Sequence, residues 1–206
     1  RAYNKDQGPN TGGMGAISPA PRLDDALQQQ VMDQIVNPLV RGMDADGNPY
    51  RGILYVGLML TGDGPQVIEF NCRLGDPEAQ VILPRLRSDL VAAMLATVEG
   101  TLGHVSLRWD NSSAVTVVMA AEGYPGAYEK GSVISGTEGA EASDDVMLFH
   151  AGTKIDDAGT VTAHGGRVLA VTGLGDDAGT ARAAAYAAVD GIDWPGGFCR
   201  RDIAAG

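Results

Sequence analysis

The sequence predicts an α+β fold in two successive units, and three observations carry that expectation. An apolar run, Ile53 to Leu60, and an alternating run, Val67 to Leu74, flank the turn formers Thr61-Gly62-Asp63-Gly64-Pro65, the pattern of an antiparallel hairpin. Apolar residues at helical spacing precede and follow that hairpin. After Leu102 the chain changes to short strand-like runs separated by Gly and Asp turns, with one Ala-rich helical stretch.

Residues 1–21 have no periodic pattern and hold the loop Gly8-Pro9-Asn10-Thr11-Gly12-Gly13-Met14-Gly15. A helix is expected over about 24–40. Leu27, Val31, Ile35 and Leu39 fall four apart, Met32 and Val36 broaden the stripe, and Asp24 and Asp25 suit the positive end. Asp46-Gly47-Asn48-Pro49 marks a turn, and the run 53–60, apolar on both faces, reads as a buried strand. Asp76-Pro77-Glu78 reads as a helix start with Asp76 at the N-cap. A second helix is expected over about 88–99, stopped by Gly100, with Leu90, Val91, Met94, Leu95 and Val98 as its buried face. Strands follow at 114–121, 146–150, 153–155, 160–162 and 167–172, then a helix over about 177–190 and an irregular tail. The Ala- and Gly-rich patches read as compositional bias. The expected division is a first unit at 1–102, a linker at 103–112 and a β-rich unit at 113–206.

The alternating run carries the chemistry. Successive strand side chains point to opposite faces, so Ile68, Phe70, Cys72 and Leu74 share an expected core face. Glu69, Asn71 and Arg73 share the other, neighbours ~7 Å apart. Two readings fit that face: an ordinary solvated strand surface, or oxygen ligands beside a cation that hold a hard metal and an anionic substrate. Glu69 and Asn71 suit the sparse protein coordination of Mg²⁺. His104, His150 and His164 are scattered and do not suit zinc. The loop at 8–15 is either a flexible connector or a set of backbone N–H groups that wraps an anion; no Gly-Lys-Ser/Thr follows it, so it is not a Walker A loop. Arg73 is either a surface ion-pair partner or a clamp on a carboxylate. Arg200 and Arg201 form a small basic cluster, solvated or phosphate-binding.

Composition narrows the classes. A length of 206 residues suits one large or two small domains, and a hydrophobic content of 44% supports a core. Acidic residues outnumber basic ones, 26 to 15, for a charge of −11, which argues against a duplex nucleic-acid binder and against an anionic membrane surface. No apolar run approaches the ~20 residues that span a bilayer. Cys72 and Cys199 form no CxxC, so a reduced, cytoplasmic setting is expected, and Cys72 reads as a packed thiol. No Ser-His-Asp or Cys-His arrangement is visible, which points away from covalent hydrolase chemistry. The chain opens at Arg1 directly into a loop and is expected to be a piece of a larger protein.

Arg73-Leu74-Gly75-Asp76-Pro77-Glu78-Ala79-Gln80 resembles a signature of the phosphoribosylamine–glycine ligase family, within the ATP-grasp superfamily. So do the loop Gly8 to Gly15 with Ser18-Pro19-Ala20-Pro21, Gly123-Tyr124-Pro125-Gly126, Phe149-His150-Ala151-Gly152-Thr153-Lys154, Gly165-Gly166-Arg167-Val168-Leu169 and Phe198-Cys199-Arg200-Arg201-Asp202-Ile203. These blocks fall in family order along nearly the whole chain. The resemblance implies the carboxyl half of an ATP-grasp domain, an antiparallel sheet with helices, followed by a small β-rich domain bearing one helix. It implies an ATP-dependent ligase that joins glycine to 5-phosphoribosylamine through glycyl phosphate in purine synthesis. Glu69 and Asn71 would be ligands to Mg²⁺ or Mn²⁺, and Arg73 catalytic. Gly75, Asp76 and the loop Asn10, Thr11, Gly12, Gly13, Met14 and Gly15 would face substrate. Asn4-Lys5 departs from the family's usual Asp-Gly. The family is about twice as long, so the adenine-gripping half is expected to lie in a missing amino-terminal part. Two alternatives remain: a non-catalytic fragment, inactive by itself, or another ATP-grasp carboxylate–amine ligase.

Overall fold

The computed structural model describes residues 1–205. In chain order the elements are β1 (Gly15–Ser18), α1 (Asp25–Val31), α2 (Asn37–Ala45), β2 (Tyr55–Thr61), β3 (Gly64–Asn71), α3 (Ala79–Ile82), α4 (Leu90–Glu99), β4 (Ser113–Ala121), α5 (Thr137–Glu141), β5 (Val146–His150), β6 (Thr153–Ile155), β7 (Val161–Ala163), β8 (Arg167–Gly175), α6 (Ala178–Gly191) and β9 (Gly197–Cys199). They form two compact units interleaved in sequence. The first takes residues 1–18, 76–85 and 110 onward; the second takes 19–75 and 86–109.

The first unit is built on a five-stranded antiparallel sheet in the order β1-β4-β8-β5, with β9 also paired to β4. β1 takes the edge of β4 along Ala114–Val117, and β9 takes it along Met119–Ala121. β4 and β8 are buried on both faces because each face has a cover. Val117, Met119, Leu169 and Val171 pack with Ala185, Tyr186 and Val189 of α6. A Cβ on Gly175 would stand 2.6 Å from the Ala181 nitrogen, and one on Gly173 would strike the backbone of the same helix. The Ala- and Gly-rich patches are therefore a close helix–sheet contact rather than compositional bias. On the opposite face, Val118, Ala120 and Ala170 cluster with Met14. The buried Thr172 hydroxyl lies 3.0 Å from the Gln80 carbonyl and 2.9 Å from the Thr116 hydroxyl, which ties the segment carrying α3 to the sheet.

Asp177 caps α6 by accepting from the Thr180 N–H at 2.7 Å. The strands at 146–150 and 153–155 and the Ala-rich helix agree with the sequence expectation. Three elements were not expected: β1 within the loop region, α5, and β9 within the tail. β1 and β9 are too short to show a period and exist because β4 offers them an unpaired edge. Arg200 and Arg201 are both engaged by carboxylates. Arg200 pairs with Asp6 at 3.0 Å and Asp202 at 2.8 Å, and Arg201 pairs with Asp190 at 2.6 Å and lies over the Tyr186 ring. Asp202 also accepts from the Lys5 N–H at 2.6 Å, so this cluster staples the first residues to the last.

In the second unit α1 and α2 run as one helix through a wider turn at Met32–Val36, where the Asn37 N–H reaches back to the Met32 carbonyl. Pro38 follows directly; it has no N–H to donate and its ring would crowd the preceding turn, which the wider turn relieves. Among the described residues β2 and β3 pair only with each other, as the expected hairpin, with a bulge between Gly57 and Leu58. α4 is capped by Asp89 and ended by Gly100 at φ 75°.

Burial in this unit corrects the sequence reading. Ile68 is 62% exposed, Phe70, Met59 and Leu60 are exposed, and so is Cys72. On α4, Val91, Met94, Leu95 and Val98 face outward, whereas Ala93 and Ala96 are buried. Alternation identifies which side chains share a face but not which face is covered, and a two-stranded ribbon has no second layer of its own. The alternation also ends with β3 at Asn71, so Cys72 lies in a bend. Asp76 does not cap a helix: α3 starts at Ala79 with Glu78 before it, and the Asp76–Pro77 peptide is cis.

The Arg200 guanidinium, bonded to Asp202, holds that carboxyl down from 3.8 to about 2. The folded state therefore binds its proton less readily than the unfolded chain. The resulting stabilisation is complete above about pH 4 and is lost as pH falls toward 2. Thermal unfolding should show the melting temperature dropping through that window, and Asp202→Asn should flatten the drop.

Candidate functional site

The residues picked out from sequence divide between the two units. Glu69, Asn71, Arg73 and Gly75 belong to the second; Asn10–Gly15 and Asp76 belong to the first.

In the second unit, Glu69 stands opposite Gly57 and Asn71 opposite Tyr55 across the hairpin. A Cβ at Gly57 would come within 3.1 Å of the Glu69 side chain, so the glycine leaves that carboxylate its space. Glu69 and Asn71 occupy alternate positions of one strand and project from one face, one carboxylate and one amide oxygen. These are hard donors of the kind Mg²⁺ accepts, and too few to make a closed cage. Among the described residues no group of three or more His, Cys, Asp or Glu is arranged around a metal position. Arg73 follows in the bend, exposed, with Nη1 donating to the Leu74 carbonyl at 2.8 Å. It lines a cavity of about 510 Å³ with Arg51, Cys72, Leu74, Met94 and Val98. Arg51 is held there by its bond to the Val98 carbonyl at 2.9 Å.

In the first unit the loop is neither floppy nor uniform. Asn10 and Gly12 are exposed, whereas the Met14 side chain is 3% exposed, within the sheet cluster. The Met14 carbonyl accepts from the Val118 N–H at 3.0 Å, so both backbone and side chain anchor the loop to the sheet. Gly15 is already in β1, where a Cβ would meet Ile203 and the Thr116 carbonyl at 2.7 Å. Gly13 has φ +111° and its Cβ position lies 2.6 Å from Pro77 Cδ, so it is a glycine by conformation and by space.

One residue that sequence reasoning did not select organises this half. Arg167 Nη1 lies 3.0 Å from the Gly12 carbonyl, 3.2 Å from that of Gly13 and 2.8 Å from that of Asp76. Its Nη2 pairs with the Asp76 carboxylate at 2.9 Å. Gln80 donates to the other Asp76 oxygen at 3.0 Å, which fixes the carboxylate from both sides. The Gly12 N–H points to the Tyr124 hydroxyl at 3.4 Å. The signal for Arg167 was present in Gly165-Gly166-Arg167, a cation opening an apolar strand after two glycines. Its partners lie 91 to 155 residues away, and nothing local reveals them.

The class is that of the ATP-grasp enzymes, as a family model and solved structures show. A family model described as phosphoribosylglycinamide synthetase, ATP-grasp (A) domain, matches residues 1–79, and the C domain of the same synthetase matches 114–206. The phosphoribosylamine–glycine ligase of Mesorhizobium japonicum is 54% identical over 98% of this chain and 47% of its own length. The crystal structure of the phosphoribosylamine–glycine ligase from Thermotoga maritima superposes with a TM-score of 0.85 at 35% identity, covering 98% of this chain and 49% of that one. A biotin carboxylase domain of a 2-oxoglutarate carboxylase shares the fold, with a TM-score of 0.64 at 14% identity over 96% of this chain and 42% of that one. The chain belongs to the phosphoribosylglycinamide synthetase family. It spans about half the length of the curated relatives it matches.

Gly13→Ala should cost about 1–3 kcal/mol for the backbone conformation alone. The contact with Pro77 adds to that, and urea unfolding of the variant against the parent measures the sum.

Proposed function

We propose that this chain supplies the metal-side and substrate-side walls of an ATP-dependent ligase that joins glycine to 5-phosphoribosylamine. The observation that carries the reading is the 54% identity, over 98% of the chain, to a phosphoribosylamine–glycine ligase. In the proposed reaction a glycine carboxylate oxygen attacks the γ-phosphorus of ATP, and the bond to the ADP oxygen breaks. The amine of phosphoribosylamine then attacks the carbonyl carbon of glycyl phosphate. Phosphate leaves, the nitrogen loses a proton, and glycinamide ribonucleotide is formed.

Such chemistry asks the protein for position and charge rather than for a nucleophile, which accounts for the absence of a triad motif in the sequence. Glu69 and Asn71 would hold Mg²⁺ or Mn²⁺, which when bound would offset charge on the phosphate oxygens. Arg73, exposed beside them on the same chain segment, would hold the glycine carboxylate by its planar fork. The Asn10–Gly15 loop and the Gly75-Asp76 turn would form the substrate side. A chain spanning about half of its relatives' length supplies part of their machinery, and the remaining nucleotide contacts are assigned to the rest of the ligase.

In the complete ligase containing these residues, Glu69→Gln should lower Mg²⁺-dependent ADP formation by more than about a hundredfold, the scale of losing several kcal/mol of charge stabilisation. A variant that keeps the parent rate would remove the metal assignment. Following ADP release with glycine against other amino acids tests the substrate. The 206 residues by themselves should give no glycinamide ribonucleotide, and measurable product from them would overturn the division of the machinery proposed here.

A further inference from the structure

We propose that Arg167 is a positioning residue: it holds the Gly12–Gly13 loop and the Asp76 turn in one fixed arrangement on the substrate side. Its effect on substrate rests on the function proposed above; its effect on the loop does not.

The guanidinium is surrounded rather than merely paired. Three backbone carbonyls and one carboxylate oxygen lie within 3.2 Å of its two terminal nitrogens, and its side chain is 19% exposed against 48% for Asp76. Such a planar fork reaches several acceptors at fixed angles, which an ammonium on a flexible stem does not reproduce. The root of the side chain is rigid, because Val168 and Leu169 directly after it are fully buried in β8. The other partners are equally anchored, Met14 in the sheet cluster and Gln80 by its carbonyl to Thr172. Arg167 thus joins two segments that are each fixed at one end.

The two glycines take a specific meaning from this cation. A Cβ at Gly12 would stand 3.1 Å from Nη2 and 3.2 Å from Cζ of Arg167. One at Gly13 would meet Pro77 at 2.6 Å. Gly13 must lack a side chain for the loop to take this path, and at Gly12 a Cβ would press on the guanidinium. The carbonyls of Gly12 and Gly13 face the cation, so in trans peptides the following N–H groups point away from it. The Gly13 N–H is taken by the Thr11 hydroxyl at 3.1 Å. The loop is therefore not a free connector. It is a wall whose shape is set by an arginine supplied from β8.

Hydrogen exchange on the 206-residue chain tests the lock directly. In Arg167→Met the amides of Gly12 and Gly13, bonded to Tyr124 and Thr11, and of Val81 and Ile82, bonded to the Glu78 carbonyl, should exchange at least ~10-fold faster, while those of β4 and β8 keep their protection. Gly12→Ala, which leaves the arginine in place but pushes on it, should give the same pattern. Guanidinium ion at low millimolar concentration should slow the loop amides again in Arg167→Met, whereas methylammonium should not. Unchanged loop exchange in both variants, or equal rescue by the two cations, would overturn the proposal. In the complete ligase, Arg167→Lys should lower kcat ~100-fold with the KM for ATP within about twofold of the parent, because a small misplacement of substrate carries that scale of loss. A change confined to the KM for ATP would overturn the substrate-side role. If the parent ligase forms no ADP with glycine, the proposed function fails while the exchange result stands.

Discussion

The first unit depends on the pairing of β4 with β8, two strands covered on both faces. Their backbone groups bond along an antiparallel ladder from Ser113 opposite Gly175 to Ala120 opposite Arg167. Alternate side chains then serve two different neighbours. One set meets α6, close enough that Gly173 and Gly175 can carry no side chain. The other meets Met14 and, through the hydroxyls of Thr116 and Thr172, the segment that begins at Asp76. A strand pair buried in this way is rigid, since its interior positions are packed at solid density. That rigidity is what gives Arg167, at the first position of β8, a fixed point from which to hold flexible glycines.

The second unit follows the opposite rule. Its hairpin is a two-stranded ribbon whose outward positions include Ile68 and Phe70, and α4 turns Val91, Leu95 and Val98 outward. Such a ribbon gains little from burial, and its form comes from its own ladder, the turn at Gly62-Asp63 and the bulge beside Gly57. Gly57 has a local consequence, because a Cβ there would press on the Glu69 side chain at 3.1 Å. The oxygen donors and the arginine proposed for metal and substrate are therefore carried by the less buried of the two units.

Charge is organised locally rather than by the overall balance. The chain carries −11, yet several of its arginines sit where carbonyls and carboxylates converge. Arg85 donates to the Ser112 carbonyl at 2.6 Å and to the Ser18 hydroxyl at 2.6 Å. Arg182 reaches the carbonyls of Ile203 and Arg201 at 2.9 and 2.7 Å. Arg200 gathers Asp6 and Asp202. Each of these cations closes a junction between segments far apart in sequence, and Arg167 is the member of that set that lies at the proposed site.

Local pattern alone was enough for the hairpin around Gly62-Asp63, the helix stop at Gly100, the Ala-rich helix after Asp177 and the alternate positions of Glu69 and Asn71 on β3. Each follows from residue period or turn chemistry within a few positions, and these interactions act over the same short range. Tertiary structure decided what local pattern could not. It paired Gly15–Ser18 and Gly197–Cys199 to β4, turned Ile68 and Phe70 outward, moved Asp76 from a helix cap to an ion pair, and buried Met14 as an anchor. It also brought Arg167 onto two glycines 154 and 155 residues earlier. The physical reason is common to all of these: which face is covered, and which cation meets which carbonyl, depend on partners distant in the chain, and no period within a segment encodes a distant partner.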